Sequence, residues 1–298
     1  MARRDLYRDR IPEGVLPALS RLLEVLPAVG DGALQELDEG QSARGSRRHI
    51  RPGRILAVTG LVAEARVAAG PQVSVISSGG DSARLHSKLE HAARSPISAV
   101  VSFGIAGGLA PGLNAGTPLV GRAIVSEDGQ IFESDRSWTQ GLAKALGGAP
   151  IVDFAGVDAP VSHPAQKRAL HVATGAVAVD MESHIAARFA AAHNLPFAAF
   201  RVVADPAERH LPHAALVGLR QDGTLAIGAV LRSLLAQPRQ VPHLIRTALD
   251  TRAAFESLFR GRQMIAGRLG IGDFGFGDFR ESVLDVARED ILGGSLTV

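Results

Sequence analysis

Residues 54–60 read Arg-Ile-Leu-Ala-Val-Thr-Gly, a short apolar run that ends in a glycine. A run of this length, bounded by turn residues, is typical of a strand that is buried on both faces of a sheet. The residues that follow it, 61–69, carry apolar side chains at helical spacing and predict a helix. A buried strand followed directly by a helix indicates an α/β fold.

The same alternation of apolar runs and helical patterns continues to about residue 232. Further strands are predicted at residues 72–77, 99–103, 119–125, 175–179 and 197–203. Further helices are predicted at residues 81–93, 137–146, 182–193 and 241–262. Strands that alternate with helices predict a single three-layer α/β/α domain around a central mixed, largely parallel sheet.

The segments on either side of this domain, which we place at residues 54–262, differ from it in composition. Residues 1–53 are basic and partly amphipathic, and we expect a leader with little fixed structure. The alternative for this leader is a membrane-surface segment, because basic amphipathic stretches attract anionic lipid. Residues 263–298 are rich in glycine and phenylalanine and predict a flexible tail.

Composition excludes several classes of function. The 298 residues include 32 basic and 30 acidic side chains, and a net charge of +2 gives no support to nucleic-acid binding. The chain has no cysteine, so a thiol nucleophile, a disulfide and a zinc–thiolate site are impossible. No metal-ligand spacing is present, so no metal is expected, and the cysteine-free composition fits the cytoplasm.

Glycine-rich and small-residue turns follow three of the predicted strands. Gly60 ends the first strand, residues 77–81 read Ser-Ser-Gly-Gly-Asp, and residues 104–108 read Gly-Ile-Ala-Gly-Gly. Ligands of α/β proteins bind at the carboxyl ends of strands, where glycine lets the backbone approach them. The N–H groups of the 77–81 turn suit an anion or a sugar hydroxyl, although each turn alone is ordinary.

Two acidic residues follow two other predicted strands. Glu182 comes after the strand 175–179, and Asp205 comes after the run 197–203, which contains Arg201. A carboxylate accepts two hydroxyl hydrogens, which suits a ribose diol. A second acid that holds a proton can donate it to a leaving heterocycle. Taken alone, such acids also cap helices and turns.

These residues, in this order, resemble the nucleoside phosphorylase and nucleosidase superfamily, which includes purine and uridine phosphorylases and methylthioadenosine/adenosylhomocysteine nucleosidases. The resemblance covers about residues 54–235. It rests on Ala178-Val-Asp-Met-Glu182, on residues 197–206, and on Gly104-Ile-Ala-Gly-Gly-Leu-Ala-Pro111 with 114–116. A closer resemblance is to hopanoid-associated nucleoside phosphorylases. That resemblance is carried by Thr59-Gly-Leu61, Glu64-Ala-Arg66, Ser102-Phe-Gly-Ile-Ala-Gly-Gly108, Pro242-His-Leu-Ile-Arg246 and Ala253-Ala-Phe255.

The resemblance implies cleavage of the N-glycosidic bond of an adenine nucleoside. The expected reaction is phosphorolysis of adenosylhopane to a phosphoribosyl hopanoid and adenine, with inorganic phosphate as co-substrate and no cofactor. In this reading Asp205 protonates the purine at N7 and Glu182 binds the ribose hydroxyls. The remaining substrate-binding residues would be Met181 under the sugar, Arg201 in support, Val161 as an apolar wall, Gly104 and Gly107. The resemblance also implies a homo-oligomer, and a lipid-linked substrate would bring peripheral contact with the inner face of the membrane.

The nucleophile remains open at the level of sequence. The candidate phosphate-binding residues are Gly60, Arg66, Ser78, Gly79 and Arg84. The arginine that phosphorylases carry four residues after the first-strand glycine is replaced by Glu64, close to where nucleosidases place a water-activating carboxylate. Hydrolysis of methylthioadenosine- or adenosylhomocysteine-like nucleosides is therefore the alternative. A catalytically inactive nucleoside-binding domain is a third reading.

Overall fold

A computed structural model describes residues 54–212 and 240–265, together with the single positions Ala215 and Ser233. The predicted leader lies outside the described residues, and so does the predicted tail from residue 266 onward. Within the described part of the chain, no helix combines the length and the apolar character that crossing a membrane requires.

The described residues form eight strands and six helices. The strands are β1 (Arg54–Thr59), β2 (Val73–Ser77), β3 (Ile97–Gly108), β4 (Pro118–Ser126), β5 (Ile131–Glu133), β6 (Ile151–Gly156), β7 (Ala178–Asp180) and β8 (Phe197–Asp205). The helices are α1 (Val62–Ala68), α2 (Ser82–Ala92), α3 (Arg136–Ala145), α4 (Pro164–Thr174), α5 (Ser183–Ala192) and α6 (Val241–Ile265).

All eight strands belong to one mixed sheet. β1 lies between β2 and β3, parallel to both, and β3 is also parallel to β8 and antiparallel to β7. β4 is antiparallel to β5 and β8 but parallel to β6, which is parallel to β7. Five of the eight pairings are therefore parallel, and the predicted α/β class is confirmed. Strands β3, β8, β4, β6 and β7 also close a ring, which was not predicted.

Helices cover both faces of the sheet because alternate residues of each buried strand point to opposite sides. On one face, α1, α3 and α6 pack in an apolar cluster that includes Phe103, Phe200 and Leu258. On the other face, α2 and α5 contribute Leu85 and Ile185 to a second cluster. The predicted three-layer arrangement is therefore present.

The structure differs from the sequence-based elements in several places. Residues 104–108 were read as a turn, but they continue β3, because backbone from β7 and β8 packs on both sides of these small residues. The strands β5 and β6 were missed, because β5 has only three residues with Ile131 exposed, and because Asp153 interrupts the apolar residues of β6. Helix α4, which begins with a proline and buries Lys167 rather than an apolar side chain, was also missed. Helix α6 continues to Ile265, so residues 263–265 belong to it rather than to the tail.

Candidate active site

The two acids identified from the sequence lie on or just after the strands that flank β3. Gly107 of β3 pairs with Val179 of β7 on one side and with Asp205 of β8 on the other. Glu182 follows β7 by two residues, at the start of α5. The sheet order therefore brings both acids to β3, although 22 residues separate them in sequence.

Arg201 connects the buried polar groups of the site. It lies in β8, opposite Gly104 of β3, and is completely buried. Its Nη2 donates to Ser102 Oγ at 2.6 Å, to Asp180 Oδ1 at 3.2 Å and to Glu182 Oε2 at 3.4 Å. The guanidinium thus neutralises part of a charge that would otherwise be costly to bury.

Glu64 is bound by three backbone N–H groups. Its Oε2 accepts from Gly60 N and Leu61 N at 2.8 Å, and its Oε1 accepts from Ile105 N at 2.7 Å. The carboxyl approaches the sheet so closely that a Cβ on Gly104 would lie 2.4 Å from Oε1. Burial raises the pKa of Glu64, while Arg201 and the three N–H groups act in the opposite direction.

Glu182 lies against the end of β1. Its Oε1 accepts the Ser78 hydroxyl at 2.9 Å, and a Cβ on Gly60 would lie 2.8 Å from the same oxygen. Asp180 holds the preceding turn, since its Oδ1 accepts the N–H groups of Glu182 and Ser183 at 2.9 and 2.6 Å. Burial raises the pKa of Glu182 to about 7, against the effect of Arg201.

The charge balance of this cluster follows from these contacts. Arg201 faces three carboxyl groups, those of Glu64, Asp180 and Glu182, and all four side chains are buried. With the acids ionised, the cluster carries an excess of negative charge. Such a site stabilises a cation that forms in it and repels a further anion.

Asp205 has a separate cationic partner, the fully buried Lys167 of α4. Lys167 Nζ donates to Asp205 Oδ2 and also to the carbonyl oxygens of Pro206 at 2.9 Å and Arg209 at 3.1 Å. Burial raises the pKa of Asp205, and the lysine acts in the opposite direction. The structure therefore places an acid whose pKa is raised by burial beside a buried lysine.

The other expected substrate-binding residues fall into two groups. Met181 and Val161 are half-buried and pack on one apolar cluster that includes Val179. Gly107 also lies at this end of β3, where a Cβ would be 3.2 Å from Val179 and 3.8 Å from Asp205 Oδ2. Gly104 differs, because it faces Glu64 and Arg201 rather than open space and thus provides room for their contact.

The candidate phosphate-binding groups already have partners within the chain. Gly60 N donates to Glu64, Gly79 N donates to Gly60 O at 2.9 Å, and the Ser78 hydroxyl donates to Glu182. Arg66 and Arg84 lie on exposed faces of α1 and α2, whereas the acidic cluster is buried. Gly60, Ser78 and Gly79 therefore lie together at the end of β1 with their polar groups engaged within the chain, and the two arginines lie on exposed helix faces.

Four polar residues that the structure brings into the site had no role assigned from the sequence, namely Asp180, Ser102, Ser183 and Lys167. Ser102 and Ser183 bridge their hydroxyls at 2.8 Å beside Arg201. Lys167 was overlooked, although it is one of three lysines in a chain whose other basic residues are arginines, a bias that could have drawn attention to it. In the described ranges, no group of three or more His, Asp or Glu side chains is placed to hold a metal ion.

The chain belongs to the phosphorylase superfamily, because the sequence profile of that family matches residues 25–236. Solved structures with a similar fold include a methylthioadenosine nucleosidase mutant of Helicobacter pylori with 5′-methylthioadenosine. It is 15% identical, with 69% of this chain and 97% of that chain covered and a TM-score of 0.47. The Streptococcus pneumoniae MTA/SAH nucleosidase with 8-aminoadenine is 19% identical, with 61% and 97% covered and a TM-score of 0.48. The futalosine hydrolase of H. pylori is 15% identical, with 70% and 97% covered and a TM-score of 0.46. No curated protein matches the chain.

Proposed function

We propose that this chain is an enzyme that cleaves the N-glycosidic bond of a purine nucleoside, with water as the attacking group. The observation that carries the proposal is the position of Glu64. Its carboxylate fills a cradle of backbone N–H groups at the end of β1, beside Glu182 and Arg201. Membership of the phosphorylase superfamily supports the wider class of reaction.

The charge of the cluster supports glycosidic chemistry. When a ribose–purine bond breaks, the sugar acquires positive charge and the purine leaves with the electron pair of the bond. Buried carboxylates beside the sugar stabilise that positive charge more strongly in the transition state than in the substrate. Glu182 would bind the ribose hydroxyls, with its position fixed by Ser78 and Arg201.

The same charge favours water over phosphate. A phosphate ion would need the N–H groups and the cation that Glu64 already uses, and it would add negative charge beside three buried acids. A water molecule needs only a base, and burial raises the pKa of Glu64, which makes its carboxylate a stronger base. Neither the role of Glu64 as base nor that of Glu182 as ribose ligand requires a cofactor.

Phosphorolysis of a lipid-linked adenine nucleoside such as adenosylhopane is the second candidate function. It is favoured by the sequence resemblance of Thr59-Gly-Leu61, Glu64-Ala-Arg66 and residues 102–108 to hopanoid-associated phosphorylases. In that case Glu64 would have to be displaced or protonated to admit the phosphate.

One assay separates the two candidates. The purified full chain is incubated with adenosine, methylthioadenosine and adenosylhopane, each with and without inorganic phosphate, and both adenine and the sugar product are measured. We expect adenine and free sugar at a rate independent of phosphate. A strict phosphate requirement with a sugar 1-phosphate product would establish phosphorolysis instead. Nucleoside binding by calorimetry without any product would indicate an inactive binding domain.

Single substitutions then test the catalytic role of each residue. Glu64→Gln, Glu182→Gln and Asp205→Asn are each expected to lower kcat about 10²- to 10⁴-fold, the usual contribution of acid–base groups. Glu90→Gln, on the exposed face of α2, is the matched control and should keep full activity. Full activity in any of the first three variants would remove that residue from the proposal.

A further inference from the structure

We infer that Lys167 is a positioning residue that binds the Asp205 carboxyl through Oδ2 and leaves Oδ1 to deliver a proton to the departing purine. The inference rests on the proposed function and deepens it, because it assigns one residue and one oxygen atom to the acid step. Sequence resemblance gave Lys167 no role.

The first observation is the hydrogen bonding of the lysine. An ammonium group has three N–H donors and no acceptor. Lys167 Nζ directs them to Asp205 Oδ2 and to the carbonyl oxygens of Pro206 and Arg209. Because the side chain is fully buried and its three strongest partners lie on the segment 205–209, the ammonium position is defined.

The second observation is that this segment is itself held in place. Glu208 Oε1 accepts Gly112 N at 3.0 Å, on the loop that follows β3. Arg209 forms an ion pair with Asp250 of α6. Lys167 therefore connects Asp205 to α4, α6 and the loop after β3. Movement of the Asp205 carboxyl group would break several of these contacts together.

The third observation concerns the two carboxyl oxygens. Oδ2 already accepts an N–H from Lys167, so a proton placed on Oδ2 would face another hydrogen. Oδ1 has no hydrogen-bond partner among the described residues. The Asp205 side chain is 13% exposed, so a ligand can reach it, whereas the Lys167 side chain is fully buried. When Asp205 is protonated, the proton therefore belongs on Oδ1, where a bound purine can accept it.

The resulting step balances. The bond between C1′ and purine N9 breaks and its electron pair goes to the purine. N7 takes the proton from Asp205 Oδ1, and Asp205 becomes a carboxylate beside the Lys167 ammonium. Water adds to C1′ and gives a proton to the Glu64 carboxylate. Negative charge thus appears on Asp205 during the reaction, next to a cation that is already in position, and this is the arrangement that lowers a barrier.

The test compares two leaving groups. Adenine needs protonation at N7 to leave, whereas 4-nitrophenolate leaves from 4-nitrophenyl β-D-riboside without a proton. Lys167→Met is expected to lower kcat/KM for adenosine about 10²-fold and to leave cleavage of the nitrophenyl riboside nearly unchanged. Lys144→Met, at an exposed position of α3, is the matched control and should affect neither substrate.

A second variant and a pH profile distinguish the loss of this positioning role from a folding defect. Lys167→Gln keeps hydrogen-bond donors for the two carbonyl groups but loses the charge, and we expect the same selective loss. Lys167 lowers the pKa of Asp205. Its removal should therefore raise that pKa and move the basic limb of the kcat/KM profile for adenosine to higher pH.

The outcomes separate this inference from the proposed function. If both lysine variants lose the two activities equally, or if the basic limb does not move, Lys167 has only a structural role and the inference is overturned. Full activity of both variants on adenosine overturns it as well. If the wild-type chain cleaves neither riboside, the proposed function itself fails, and the inference fails with it.

Discussion

Replacing Gly104 with alanine perturbs the point where Glu64 and Arg201 meet. The added Cβ would lie 2.4 Å from Glu64 Oε1 and 2.7 Å from Arg201 Nη1, whereas ordinary contact begins at 3.4 Å. Glu64 would therefore have to recede by about 1 Å. Its hydrogen bond to Ile105 N, now 2.7 Å, could not survive that movement.

The cost has two parts. Overpacking a filled core costs about 1–3 kcal/mol, and losing a hydrogen bond to a charged group costs about 1.5–3 kcal/mol. We expect a total loss of about 3–5 kcal/mol in the free energy of unfolding, which corresponds to a fall in Tm of about 10 °C. Because Glu64 is the proposed base, a displacement of about 1 Å should also lower kcat about 10²-fold.

The assay combines thermal unfolding with adenine release. Gly141→Ala is the matched control, since this glycine lies within α3 with no atom near its would-be Cβ. Alanine there should stabilise the chain by about 0.5–1 kcal/mol and leave activity unchanged. If Gly104→Ala were as stable and as active as Gly141→Ala, the close contact of Glu64 with β3 would be refuted. The role of Glu64 as the base would be refuted with it.

Other perturbations test the remaining acids. Ser78→Ala removes a hydroxyl that donates to a site carboxylate at 2.9 Å, so kcat/KM for adenosine should fall about tenfold; Ser87→Ala, exposed on α2, should have no effect in the same assay. Burial raises the pKa of Glu182 from 4.5 to about 7, so the folded chain binds this proton more tightly than the unfolded chain. The contribution of Glu182 to the free energy of unfolding should therefore fall by about 3 kcal/mol as pH rises from about 4.5 to about 7. Urea denaturation at a series of pH values should show that the free energy of unfolding depends less on pH in Glu182→Gln than in the wild type. An equal dependence would contradict the assignment. Asp180→Asn breaks a buried ion pair and should cost about 3–5 kcal/mol, whereas Asp153→Asn breaks an exposed pair and should cost under about 1 kcal/mol in the same measurement.

Local patterns in the sequence were sufficient for the fold class and for part of the site. The apolar runs and helical spacings between residues 54 and 203 predict a layered α/β domain, because burial on two faces leaves a signal that can be read within a single segment. Glu182 and Asp205 could be identified as a pair because each follows such a run. No comparable local signal marks the three-residue strand β5, the strand β6, in which Asp153 interrupts the apolar residues, or the helix α4, so these elements were missed.

Only the tertiary structure decided which groups meet. Glu64 reaches Ile105, 41 residues away, because Gly104 lacks a side chain and because β1 and β3 are neighbours in the sheet. Lys167 reaches Asp205 across 38 residues, from a helix that the sequence pattern did not reveal. The amino-acid sequence by itself determined which residues are acidic and which strands they follow. The pairing of those acids with one guanidinium and one ammonium depends on β3 lying between β7 and β8 and on the packing of α4, because hydrogen bonds and charges act through space rather than along the chain.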